Sequence, residues 1–105
     1  MIIQIIQFRL VGISGAQYLE HAEQVAPHFR QVPGLVSKVW LANAATNTYG
    51  GVYTWKDRAA LENYRASETY ARMIGNPHFV ELSDREFAVL HRPTQVTAPA
   101  LAQAA

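Results

Sequence analysis

Two stretches of the chain alternate without a polar side. Pro33-Gly34-Leu35-Val36-Ser37-Lys38-Val39-Trp40 and Tyr49-Gly50-Gly51-Val52-Tyr53-Thr54-Trp55 read as two strands joined by the small, polar turn Asn43 to Thr48, a hairpin of several residues. The two-residue period of a strand puts Ser37, Val39 and Leu41 on one face, with Val36, Lys38, Trp40 and Ala42 on the other. In the second strand Val52 and Thr54 oppose Gly51, Tyr53 and Trp55. A sheet with one wet face alternates apolar with polar, and this one does not, so both faces need a cover. Residues 2–10 repeat the pattern, with Ile3 and Ile5 opposite Ile6, Phe8 and Leu10, which predicts a central strand. Gln7 and Arg9 fall on the Ile3 face, either reaching water from the strand's end or turning polar groups into whatever lies there. The last strand is expected over Glu86 to His91.

Between the strands the period changes to that of a helix. Ser14 with Gln17 three residues on forms a capping box, and Tyr18, Ala22, Val25, Phe29 and Val32 make a one-sided stripe. Pro27 inside the stripe predicts a kink or a division. Asp57 caps a second helix, with Ala60, Leu61, Tyr64, Ala71 and Ile74 on its inner side and Gly75-Asn76-Pro77 as its stop. Gly50-Gly51 in the third strand predicts a bulge or a close backbone approach.

The order strand, helix, strand, strand, helix, strand defines an α+β class. It is the ferredoxin-like βαββαβ protomer, a four-stranded antiparallel sheet with two helices on one face. Residues 1–92 then form a single domain. Residues 93–105, rich in Thr, Gln, Pro and Ala, form a flexible or partner-contacting tail. The opposite face of the sheet stays apolar over a footprint of about 300 Å², the size at which an exposed patch signals an interface. A second copy, sheet against sheet, is the expected cover, so the expected state is a homodimer.

Composition narrows the chemistry. Half of the 105 residues are hydrophobic, 16% are charged and the net charge is +1, which fits one globular domain and excludes a nucleic-acid partner. Without cysteine there is no disulfide, thiolate nucleophile or iron–sulfur ligation. The apolar start is broken by Gln4 and Gln7 and has no basic leader, so it reads as a strand rather than a membrane span or signal, and the expected location is cytoplasmic. His21 and His28 lie about 10 Å apart along one helix, too far to share a metal, and both read as surface residues. Arg58, Arg65 and Arg72 recur every seven residues. Arg58 and Arg65 read as a solvated face, while Arg72 stays open as a site residue.

At Pro33-Gly34-Leu35 through Lys38-Val39-Trp40, at Gly50-Gly51-Val52-Tyr53-Thr54-Trp55 and at Ala60 to Tyr64, the chain resembles the YdhR-like monooxygenases. These belong to the dimeric α/β-barrel superfamily that includes the antibiotic-biosynthesis monooxygenases. The resemblance spans about residues 3–92, and Asn76-Pro77-His78-Phe79 is similar to a Pro-His-Phe segment found in wider members. It implies a ferredoxin-like protomer, a homodimer and a pocket on the helix-free sheet face. Relatives that oxidise polycyclic phenols do so without a cofactor, so none is expected, and no metal-ligand spacing in the chain suggests a metal. Haem-degrading relatives carry an Asn on the first strand, where this chain has Gln7 and Phe8.

The resulting expectation is a cofactor-independent monooxygenase acting on a planar phenolic or quinone-like aromatic molecule. Trp40, Tyr53 and Trp55 would supply flat walls, or else the core of the dimer; Gln7, Lys38 or Arg72 would orient an anionic oxygen. His78, fixed after a helix stop, would act as the catalytic base, in a Pro-His context that serves as base in polyketide-cyclising relatives, or else bond a backbone carbonyl. A non-catalytic small-aromatic-binding or stress-response protein, or a polyketide-cyclase-like enzyme, stands as the alternative.

Overall fold

The computed structural model describes residues 1–103. Four strands, β1 (Ile2–Leu10), β2 (Leu35–Asn43), β3 (Thr48–Trp55) and β4 (Phe79–Ala88), form one antiparallel sheet in the order β2-β3-β1-β4. The helices α1 (Gly15–Phe29), α2 (Arg58–Arg65) and α3 (Glu68–Ile74) connect them. This is the ferredoxin-like α+β fold.

Register decides which face is which. Ile2, Gln4, Ile6 and Phe8 stand opposite Trp55, Tyr53, Gly51 and Tyr49, and all eight are buried. Tyr18, Ala22 and Phe29 of α1 and Ala60, Leu61 and Tyr64 of α2 close this face into the core. Gly50 sits where β3 presses on β1. Its φ is +155°, and a Cβ there would collide with the Ile6 carbonyl oxygen.

Four local features differ from the sequence expectation. Pro27 neither divides nor ends α1 directly; it occupies the last turn, and the helix stops at Phe29, before Val32. The second helix is two helices. Ser67 breaks it by accepting a hydrogen bond from the Tyr70 amide as N-cap of α3, while its hydroxyl donates to the Tyr64 carbonyl. The break rotates the following turn, so Tyr70 and Met73 pack on the core while Ala71 and Ile74 are exposed. The last strand begins at Phe79 and ends at Ala88, and His91 instead starts α4 (His91–Thr97), which α5 (Pro99–Gln103) follows. Within the expected tail, residues 104 and 105 lie outside the described residues.

Candidate functional site

A cavity of about 330 Å³ opens between the sheet and the helices, large enough for a ligand of two or three fused rings. It lies on the helix-covered face, not the helix-free face expected from the sequence. Both faces of β1–β3 are apolar, so alternation alone could not say which would hold the hollow. The even-numbered face of β2 and its partners on β3 meet α1 and α3 at a distance, leaving space that Phe8, Phe29, Trp40, Tyr53 and Tyr64 wall.

Lys38 is the polar group inside these walls. Its ammonium lies 3.4 Å from the ring centroid of Trp40, 3.5 Å from that of Phe29 and 4.6 Å from that of Tyr53. Phe29 and Trp40 meet edge to face at 5.6 Å, so the amine is seated in a corner of rings. Gly51 makes the seat available, since a Cβ there would stand 3.1 Å from Lys38 Cε and 3.3 Å from the Tyr53 ring. No carboxylate pairs with Lys38 among the described residues. Two effects oppose each other at the amine. Burial pushes it down to about 7, because an ammonium loses hydration that nothing replaces in full. The ring faces favour the cation by about 0.5–2 kcal/mol, which restores only part of that loss.

The phenols around it behave in the opposite sense. Burial, with Tyr64 beside it, holds the Tyr53 hydroxyl protonated far above the ordinary phenol range. Burial likewise raises Tyr64 and pushes Tyr18 up to about 12. None of these is a proton acceptor at neutral pH. The mouth is polar: His21, His28, Thr69, Arg72 and Asn76 line it, and His28 Nε2 and Thr69 Oγ1 share a 3.1 Å hydrogen bond that links α1 to α3. Arg72 is exposed and donates to Glu68 at 2.7 Å.

A second network holds the floor. Trp55 Nε1 donates to Gln4 Oε1 at 2.9 Å, and Gln4 Nε2 donates to Asp84 Oδ2 at 3.0 Å. Asp84 also accepts from Arg65 at 2.8 and 3.2 Å and from Tyr70 at 2.6 Å. Burial would raise the Asp84 carboxyl, but the donors, Arg65 first, outweigh it and hold it below the usual range. This network is what lets Gln4 and Trp55 be fully buried under the cavity.

Of the residues singled out in the sequence, Lys38, Trp40, Tyr53 and Arg72 surround one cavity. Trp55 lies behind Tyr53, stacked on it with ring planes 6° apart, and does not reach the cavity. Gln7 points to the other face of the sheet, where Arg85 approaches it at 3.5 Å. His78 also lies outside the lining, and its Nδ1 donates to the Val11 carbonyl at 2.8 Å. The carbonyl can only accept, so that nitrogen carries the proton. Sequence reasoning passed over Phe8, Phe29 and Tyr64 as plain core. It took His21 and His28 for surface residues, and they are exposed, but at the mouth.

Solved structures share the fold. An antibiotic biosynthesis monooxygenase is 19% identical with a TM-score of 0.70, over 86% of this chain and 99% of that one. SnoaB, a cofactor-independent oxygenase from Streptomyces nogalater, is 17% identical with a TM-score of 0.68, over 85% and 92%. MhuD, a heme-degrader from Mycobacterium tuberculosis with two hemes bound in its active site, is 19% identical with a TM-score of 0.69, over 86% and 96%. The fold is thus that of the antibiotic-biosynthesis monooxygenases. The family described as "Putative mono-oxygenase ydhR" matches residues 2–100, and the chain belongs to it. No curated protein matches the chain. Among the described residues no helix is long and apolar enough to cross a membrane.

Proposed function

We propose that this protein is a cofactor-independent monooxygenase acting on a planar phenolic or quinone-like aromatic substrate, held in the cavity between the sheet and α1–α3. The observation that carries the reading is Lys38, a lone amine seated on aromatic faces with no carboxylate beside it. A flat ring lying against Trp40 and Tyr53 would bring a ring oxygen to that amine, and the oxygen would supply the missing partner. The apolar walls keep water from the reacting carbon. In the balanced reaction the ionised ring gives electrons to dioxygen, one ring CH₂ becomes C=O, and the second oxygen atom leaves as water. Arg72 and the mouth histidines would meet polar substituents at the rim. The family membership and the fold shared with SnoaB support the reaction class.

Oxygen uptake tests this directly. Metal-free protein with anthrone-type phenols should consume one dioxygen per product formed, and Trp40→Ala, which removes a wall, should lower the rate by about tenfold or more. No uptake across a broad panel of such phenols, with a phenol bound unchanged, would instead make the protein a binding module for small aromatic molecules. A second copy covering the helix-free face belongs to the same proposal.

A further inference from the structure

A phenol ionised in the cavity must give its proton to some group, and the cavity offers few takers. Tyr18 from α1, Tyr53 from β3 and Tyr64 from α2 face the space as protonated phenols. Arg72 from α3 is a permanent cation bonded to Glu68 at the surface. His21 and His28 sit at the exposed rim, and His28 is engaged by Thr69. Glu23 of α1 and Arg30, the residue that caps its C-terminus, share with Lys38 only a more open groove that Phe29 and Trp40 also line. Neither stands within ion-pair or hydrogen-bond distance of Lys38. No carboxylate lines the cavity itself among the described residues.

We propose that Lys38 is the proton acceptor of the site: its neutral amine takes the proton of a bound phenol, and the resulting ammonium stays as the counter-ion of the phenolate. This rests on the reading that the cavity holds a phenol. In the step the phenol O–H bond breaks as the Lys38 N–H bond forms, and no proton leaves the complex. The geometry favours the product pair at both ends. The new ammonium forms against the faces of Trp40, Phe29 and Tyr53, which attract a cation and not an amine. The new phenolate forms beside that ammonium in a space where water screens little. Gly51 keeps the amine at this spot, because any side chain there would press on its stem. Burial lowers the affinity of the amine for protons in the empty cavity to about 7, so a neutral fraction is present at neutral pH and the amine is neutral at higher pH.

The test uses 2-naphthol, a planar two-ring phenol whose ionised form absorbs at longer wavelength, at about pH 8.5. There the empty-cavity amine is neutral, and a free phenol, ionising near 10, is not ionised. Anaerobic solutions keep oxidation out of the measurement. Bound to the intact protein, 2-naphthol should show the naphtholate band, and calorimetry in two buffers of different ionisation enthalpy should detect no net proton release. Lys38→Met should bind it as the neutral naphthol. Lys38→Arg, a fixed cation, should give the naphtholate band with about one proton released per site. Binding without the naphtholate band overturns the proposal, and so does a proton released by the wild type as by Lys38→Arg. Failure of 2-naphthol to bind would remove the phenol-cavity reading together with it. Ionisation without later oxygen uptake would support the role of Lys38 while removing the oxygenase.

Discussion

The proposed chemistry turns on one amine, Lys38, whose own titration exposes it to measurement without any substrate. In the unfolded chain a lysine binds its proton up to about pH 10.4, while in the folded cavity Lys38 releases it near about 7. Between these values the unfolded state holds more protons, so stability rises with pH across that window, by up to about 1.4 kcal/mol per pH unit. Above it the sign reverses. Tyr18 and Tyr70, each pushed up to about 12, keep their protons in the fold after unfolded tyrosines lose theirs near 10. Thermal unfolding should therefore show a maximum in melting temperature near pH 9–10 rather than at neutrality. Lys38→Met should flatten the rising limb and leave the falling limb in place. A wild-type melting temperature that is level from pH 7 to 10 would show that the rings hold Lys38 charged throughout.

At the scale of elements, the charged half of β4 explains both a structural tie and a gap in the sequence reading. Asp84 and Glu86 face α2 from the sheet, and Arg65 bonds both, to Asp84 at 2.8 Å and to Glu86 at 3.1 Å. Asp84→Asn keeps the shape but takes away the charge that Arg65 and Tyr70 address. It should cost about 2 kcal/mol at neutral pH, the usual size for bonds to a charged group. The folded-state pKa of Asp84 is depressed, so this contribution is present above the unfolded value near 3.9 and lost as pH falls below it. Urea titrations at pH 7 and pH 3 check this: the variant's deficit should shrink at the lower pH. The same charges hid β4, because Glu81, Asp84, Arg85 and Glu86 break the alternation that made β1, β2 and β3 legible. Their partners come from α2, α3 and β1, and a linear pattern does not show partners. The break at Ser67 was equally silent, since a serine inside a helix and one capping the next read alike. The hairpin at Asn43–Thr48 and the Ser14 capping box were legible because both are settled by neighbours in sequence. At the site, alternation grouped Lys38, Trp40, Tyr53 and Trp55 as two-strand neighbours. Which face the helices would cover was left undetermined, because β1 to β3 are apolar on both.

For the whole molecule the helix-free face is the remaining problem. Across it run Val39, Val52, Ile5 and Arg85 in one row and Ser37, Thr54, Ile3 and Phe87 in the next, with Val39 57% and Phe87 49% exposed and Thr54 buried. Strands of 8–10 residues give this face an area of about 19 by 29 Å, roughly 550 Å². A stable interface needs about 800 Å² per partner. The rest has a candidate source in α4 and α5, which pack chiefly on each other and leave Leu90 and Val96 the most exposed large apolar residues. The chain is correspondingly drawn out to 43 Å, with a radius of gyration of 14.4 Å where a compact chain of this length has about 13 Å. An extended arm with exposed apolar residues, and a helix-free face whose apolar rows are flanked by Ser37, Gln7 and Arg85, fit a homodimer in which each arm lies on the other copy. Val39→Glu, on the edge strand β2, would bury a charge within that contact and should raise the dimer Kd by about a hundredfold or more. Val96→Glu, on the arm, should raise it by about tenfold, with far-UV circular dichroism unchanged in both. Sedimentation over a range of concentrations measures the two effects separately. A Val39→Glu protein that sediments as the wild type would mean that the sheet face is not the contact. An unaltered Kd for Val96→Glu alone would keep the sheet contact and remove the arm from it.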